Sequence, residues 1–204
     1  MMPQKTAIIG ATSHIAKGLI RSYLNRTDNS LYLFARNTSS VSEFLLKNDL
    51  PKEKVSILNF YEFNNNDYDV VINCVGITEP QKVRYAGFDI FKVTEEFDNL
   101  VISYIQKKPD TLYINFSSGA VYGTGFSEPV VRLSKSELDV NNIQSSDFYR
   151  IAKINSEAKH RSLENNIVDI RVFSYFSRFI DLSSSFLITD IINSILNNII
   201  MNTG

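Results

Sequence analysis

The chain has 204 residues, enough for one sizeable hydrophobic core or slightly more. A formal net charge of -1 gives no electrostatic case for nucleic acid or an anionic membrane, and 44% hydrophobic with 21% charged residues is an ordinary soluble composition. The single cysteine, Cys74, excludes an intrachain disulfide and fits a reducing cytoplasm, and with two histidines beside it no soft-ligand metal site is expected.

The start, MMPQKTAIIG, lacks a signal-peptide pattern, and no apolar run reaches the length of a membrane helix. Residues 6–11 (TAIIGA) read as a β-branched strand ending in glycine, and 13–26 as a helix with apolar residues at 15, 19, 20, 23 and 24. A strand follows at 30–36, a short helix with cap-type residues at 38–49, and a strand at 54–60 before the polar loop NNNDY. Residues 69–76 (DVVINCVG) are apolar at nearly every position, the pattern of a strand covered on both faces. A helix is predicted over 95–108, stopped by Pro109, then a strand over 111–119. The Ser- and Asn-rich region 124–147 reads as irregular, 147–165 as a long helix, 168–176 as a strand and 186–200 as an amphipathic helix.

Strands alternating with helices predict an α/β fold, a doubly wound parallel sheet with helices on both faces. Ligands of such sheets sit beyond the carboxyl ends of the strands, which groups Gly10, Arg36, Asn73, Gly76, Ser117 and Ser118.

The stretch AIIGATSHIAKG (7–18) has the layout of a strand, a tight turn and a helix start that can face a pyrophosphate with free N–H groups. Ser13 and Ala16 stand where such a loop often has glycine, and taken alone the stretch reads equally well as a structural turn. His14 is either a phosphate contact or a solvent-facing turn residue. YRIAK places Tyr149 and Lys153 one helical turn apart, where an ammonium lowers the phenol pKa and suits it to proton transfer. Tyr104 and Lys108 have the same spacing, so order and context must separate the pairs; only Tyr149 follows the serine-ended strand INFSSG. Cys74 reads as a buried small hydrophobe, His160 as a surface residue, and Arg171 as a possible carboxylate partner.

The ordered set GATSHIA, Arg36, NCVG, SSGAVYG and YRIAK resembles the extended short-chain dehydrogenase/reductase superfamily, in its NAD(P)-dependent epimerase/dehydratase branch that modifies nucleotide sugars. The resemblance runs from about residue 5 to 180 and implies a Rossmann-type domain over 1–180. Residues 181–204 would then begin a substrate-binding region that is largely missing. It implies Tyr149 as acid/base, Lys153 on the nicotinamide ribose and Ser118 on the reacting oxygen. Cofactor contacts are implied at Gly10, Thr12, Ser13, His14, Ile15, Arg36, Asn37, Cys74, Val75, Gly76 and Lys153. Gly119 and Ala120 replace the acidic pair of the 4,6-dehydratases, which argues against that reaction, and Thr94 replaces a frequent asparagine. Arg36 and Asn37 stand where NAD users carry an acidic residue, so NADP is the expected cofactor, with NAD as the alternative. The implied activity is hydride transfer on a nucleotide-activated sugar. The alternatives are a reductase of another small carbonyl compound and a non-catalytic NADP-binding module or redox sensor. A cytoplasmic homodimer is expected, formed by the helices over 91–108 and 147–165, with Phe97, Val101, Ile105, Ile151 and Ala158 supplying an apolar patch or facing the sheet.

Overall fold

The computed structural model describes residues 4–26, 29–123 and 128–200. Its strands are β1 (Lys5–Ile9), β2 (Ser30–Phe34), β3 (Val55–Leu58), β4 (Val70–Asn73), β5 (Leu112–Ser118) and β6 (Ile167–Val172). Its α-helices are α1 (His14–Arg26), α2 (Thr38–Lys47), α3 (Pro80–Ala86), α4 (Asp89–Ile105), α5 (Phe148–Arg161) and α6 (Leu187–Asn197). The strands form one sheet in the order β3-β2-β1-β4-β5-β6, with every pairing parallel. This is the expected Rossmann-type doubly wound sheet, whose order reverses direction between β1 and β4. Register pairs Ile9 with both Phe34 and Asn73, and Asn73 with Asn115. The turns after these strands therefore meet along one edge.

Both faces of the central strands are covered, which is why they are apolar at nearly every position. On one face Ile8, Leu31, Leu33 and Ile72 pack with Ala16 and Ile20 of α1 and Val41, Phe44 and Leu45 of α2. On the other, Ala7, Ile9, Phe34, Val71 and Tyr113 pack with Val101, Tyr104 and Ile105 of α4 and with Phe63 and Tyr68. Each such fully buried large side chain contributes about 1.5–3 kcal/mol.

The structure departs from the sequence expectations at four places. A 3-10 turn, Phe60–Asn65, begins where the third strand was expected to end. The short α3, with Pro80 in its first turn and no buried residue, has no apolar stripe to announce it. The fourth helix starts at Asp89, six residues earlier than its apolar spacing indicates, and ends at Ile105. The sixth strand stops at Val172, and 173–176 leave the sheet. Val101 and Ile105 are fully buried against the sheet, so they are not part of an exposed dimer patch. Phe97 packs on Phe60 at 4.6 Å, and the α4–α5 surface is instead bridged by Asn155 to Glu95 at 3.1 Å and Lys159 to Asn99 at 2.8 Å. Among the described residues no helix is long and apolar enough to cross a membrane.

Candidate active site

The β1–α1 turn depends on Gly10. Its φ is +78°, and a Cβ there would lie 2.9 Å from Val75 Cγ2 and 3.1 Å from the Cys74 carbonyl carbon. The Gly10 and Ala11 N–H groups both donate to the Phe34 carbonyl, at 2.9 and 3.0 Å, tying the turn to the end of β2. Ser13 does not need the glycine conformation: its φ is not positive, its N–H bonds the Gly10 carbonyl at 2.9 Å, and its Oγ accepts from Ala16 N at 3.4 Å. Ala16 is fully buried, small enough to bring α1 close to the sheet. The N–H groups of His14 and Ile15, in the first turn of α1, have no acceptor among the described residues. Thr12 is exposed beside them.

Arg36 follows β2, exposed and without an ion pair among the described residues. The Asn37 side chain, expected to add a cofactor donor, is engaged as the N-cap of α2: its Oδ1 accepts from Ser40 N at 3.3 Å and Ser39 Oγ at 2.6 Å. After β4, Val75 N donates to Asn73 Oδ1 at 3.0 Å. Burial pushes the Cys74 thiol up to about 12, with the nearby Ser13 hydroxyl pulling it down, which favours the neutral thiol at neutral pH.

Ser118, Tyr149 and Lys153 converge beside this turn. Lys153 is 3% exposed and donates to the Phe116 carbonyl at 2.8 Å, while its Nζ stands 5.9 Å from the Tyr149 ring centroid. A Cβ on Gly76 would come 3.9 Å from that Nζ, so Lys153 lies between the ends of β4 and β5. Burial lowers the Lys153 ammonium to about 8, with Asp98, Asp169 and Glu157 pulling it upward. The Tyr149 hydroxyl lies near Ser118, whose Oγ accepts from Ala120 N at 3.1 Å. The expected depression of the Tyr149 pKa is not found: burial raises it and the neighbouring Ser118 hydroxyl offsets only part. The physical reason is that the ammonium is turned to the Phe116 carbonyl rather than to the phenol oxygen.

The rival pair is structural. Tyr104 Oη accepts from Tyr68 N at 2.8 Å and donates to the Asn66 carbonyl at 3.3 Å, and Lys108 pairs with Asp67 at 2.7 Å. These residues precede β4 and β5 and so lie at the opposite end of the sheet from Ser118.

The model of the NAD dependent epimerase/dehydratase family matches residues 6–203 of the sequence. The chain belongs to that family. Its fold is shared with UDP-N-acetylglucosamine 4-epimerase from Methanobrevibacter ruminantium M1, at a TM-score of 0.73 and 17% identity over 97% of this chain and 64% of that one. It is shared also with UDP-glucuronic acid 4-epimerase from Bacillus cereus, solved with UDP-glucuronic acid and NAD, at 0.72 and 16% over 95% and 63%. The PbgP3 protein from Burkholderia pseudomallei gives 0.72 and 16% over 88% and 61%. The chain thus spans 61–64% of the length of these structures. No curated protein matches it in sequence.

Glu157, Tyr122 and Tyr175 of this epimerase/dehydratase domain were not singled out by the sequence. Strand alternation turns Ser117 away from Ser118, and its Oγ donates to Glu157 Oε1 at 2.6 Å. Glu157 is 2% exposed and also accepts from Arg171 at 2.8 and 2.5 Å and from Arg161 at 2.6 Å. Burial raises its carboxyl, but the bonds from Arg171, Ser117 and Arg161 outweigh burial and bring it down to about 2. The Arg171 guanidinium lies 4.8 Å over the Tyr122 ring and donates to its hydroxyl. His14 is not solvent-facing: its Nε2 is 2.7 Å from Ser177 Oγ, its ring meets Tyr175 at 4.7 Å, and burial lowers its pKa. Gly18 makes room for Tyr175, whose hydroxyl would lie 2.1 Å from a Cβ there. The chain after β6 is thereby fastened to α1.

Proposed function

We propose that the protein is a nicotinamide-dinucleotide-dependent epimerase or oxidoreductase of a nucleotide-activated sugar. The observation that carries this reading is the convergence of Ser118, Tyr149 and Lys153 beside Gly76 at the carboxyl ends of β4 and β5, next to the Gly10 turn. The residues fit a dinucleotide: Gly10, at φ +78°, makes the tight turn between β1 and α1, and the N–H groups of His14 and Ile15 have no acceptor among the described residues and are open to a diphosphate. Membership in the family, and a fold shared with UDP-sugar 4-epimerases, support the same class of substrate. The bound dinucleotide would supply hydride exchange with a sugar carbon.

In this reading Tyr149 passes a proton to and from the sugar oxygen, which Ser118 holds by its hydroxyl. Lys153 keeps its ammonium toward the ribose hydroxyls, within reach of the Gly76 turn. A tyrosine whose pKa is raised in the free protein needs the phenolate stabilised once substrate and cofactor are in place. Arg36, exposed and without an ion pair among the described residues, is the donor for a 2′-phosphate and favours NADP over NAD. Gly119 and Ala120 offer no acid or base for water elimination, so the reaction is not a 4,6-dehydration. Residues from about 181 onward would begin the region that receives the sugar nucleotide.

The test is fluorescence titration with NADH and NADPH, followed by turnover of UDP-hexoses by wild type, Tyr149→Phe and Tyr104→Phe. Tyr149→Phe is expected to lose about 10²–10⁴-fold in turnover while keeping cofactor affinity, with Tyr104→Phe as active as wild type per folded molecule. Equal losses from both tyrosines, or no binding of either dinucleotide, would refute the reading.

A further inference from the structure

A continuous chain of buried polar groups runs from β6 to the turn after β4. Asp169 Oδ1 accepts from Asn115 Nδ2 at 2.8 Å and lies 2.8 Å from His160 Nδ1. His160 Nε2 is 2.7 Å from Asp98 Oδ1, which also accepts from Tyr113 Oη at 3.0 Å. The Tyr113 hydroxyl takes Asn73 Nδ2 at 3.2 Å, and Asn73 Oδ1 takes Val75 N at 3.0 Å. Tyr113, Asp98, His160 and Asn73 are all 4% exposed or less. The sequence reading placed His160 on the surface; helix α5 instead turns it inward.

Both imidazole nitrogens face carboxylate oxygens, so both donate and the ring is an imidazolium. Lys159 Nζ, 2.6 Å from Asp98 Oδ2, balances the second carboxylate charge. The two carboxylates and two cations hold one another from α4, α5 and β6, and charge-assisted bonds of this kind are the strong ones. The far end of the network is a single backbone N–H, that of Val75, next to Gly76 and packed on Gly10 through Cγ2.

We propose that Asp98, His160, Tyr113 and Asn73 form a positioning device for the dinucleotide site. Asp98, locked by His160, fixes the Tyr113 hydroxyl; Tyr113 orients the Asn73 amide; Asn73 sets the height of the Val75–Gly76 turn against Gly10 and Lys153. The device rests on the function proposed above, in which that turn borders the dinucleotide. It belongs to the folded domain before any ligand arrives.

The experiment compares Tyr113→Phe with Tyr104→Phe, two buried tyrosines whose hydroxyls lead to different places. Amide hydrogen exchange at Val75 and the dissociation constants of NADH and NADPH are measured at a temperature where both variants are folded. Tyr113→Phe is expected to speed Val75 exchange and weaken dinucleotide binding, each about tenfold, the size of one lost buried hydrogen bond. Tyr104→Phe is expected to change neither by more than about twofold, even where its melting temperature falls as far. Where Tyr113→Phe does not fold, His160→Gln, which removes the imidazolium and keeps one amide donor, is read in the same way. Unchanged Val75 exchange overturns the proposal, as does equal weakening by both tyrosine variants. A wild type that binds neither dinucleotide overturns the proposed function, while Val75 exchange still decides whether the chain positions the turn.

Discussion

Gly10→Ala puts the β1–α1 turn to a quantitative test. The added Cβ brings two separate penalties. A residue with a side chain at φ +78° pays about 1–2 kcal/mol in the left-handed region. The Cβ also sits 2.9 Å from Val75 Cγ2 and 3.1 Å from the Cys74 main chain, and backbone cannot step aside as a side-chain tip can. Overpacking of this type costs about 1–3 kcal/mol. The expected loss is therefore about 2–5 kcal/mol, which at about 2–4 °C per kcal/mol for a chain of this size is a large fall in melting temperature. Gly76→Ala is the contrast: its φ is not positive, and the nearest atoms to its Cβ are at 3.7 and 3.9 Å, ordinary contacts. It should fold within about 0.5 kcal/mol of wild type. Urea unfolding followed by circular dichroism reads both values from the midpoints at constant slope. A Gly10→Ala variant within about 1 kcal/mol of Gly76→Ala would refute the reasoning, because neither penalty would then be present.

His160, held up to about 9 by the bonds to Asp169 and Asp98 in spite of burial, adds stability that is complete below about pH 6.5 and lost as pH rises through 9. The difference in unfolding free energy between wild type and His160→Gln, read from urea unfolding, should accordingly shrink by about 1–3 kcal/mol from pH 6 to 10; taking the difference also removes the opposite trend from Lys153, whose lowered pKa makes the folded state gain as pH rises above 8. Glu157→Gln breaks the bonds to Arg171 and Arg161 and should cost about 1–3 kcal/mol at pH 7, a cost that fades as acid passes from about 4.5 to 2. Arg36→Ala should abolish an NADP preference of about ten- to a hundredfold, read by calorimetric titration of both cofactors, with unchanged stability; equal affinities in the wild type would refute the phosphate role.

The frame of the fold was legible because covered strands leave an unmistakable trace: VVIN and TAII are apolar on both faces, and every strand was found within a few residues. The helices were legible where they bury a stripe, as α1 and α2 do, and illegible where they do not, as with α3. Strand ends and helical spacing made Ser118, Tyr149 and Lys153 candidates, and the resemblance to a known family grouped them as one site. The network behind them was not legible, since Asp98 is 62 residues from His160, Asp169 lies on a different element, and each looks like a surface residue alone. The inward face of α5, with Lys153, Ser156, Glu157 and His160, held the one available signal: polar residues at helical spacing where apolar ones were due. The aromatic run after β6 reads as more strand, and only the gaps left by Gly18 and Gly119 reveal that its rings turn out of the sheet.

Gly119 carries a consequence for how this site can change. Phe173 Cδ1 would stand 2.5 Å from a Cβ at position 119, so the ring occupies the space any side chain there would use. The ring is 61% exposed and stacks at 6.1 Å on Tyr122. A carboxylate for water elimination at 119 therefore requires the Phe173 ring to move aside. Gly119→Asp alone collides with Phe173, whereas Phe173→Ala first opens the space and leaves a surface that Gly119→Asp can then enter. A mutational library that changes one position at a time therefore samples Gly119→Asp only against the Phe173 ring, and a library that pairs it with Phe173→Ala samples it in open space.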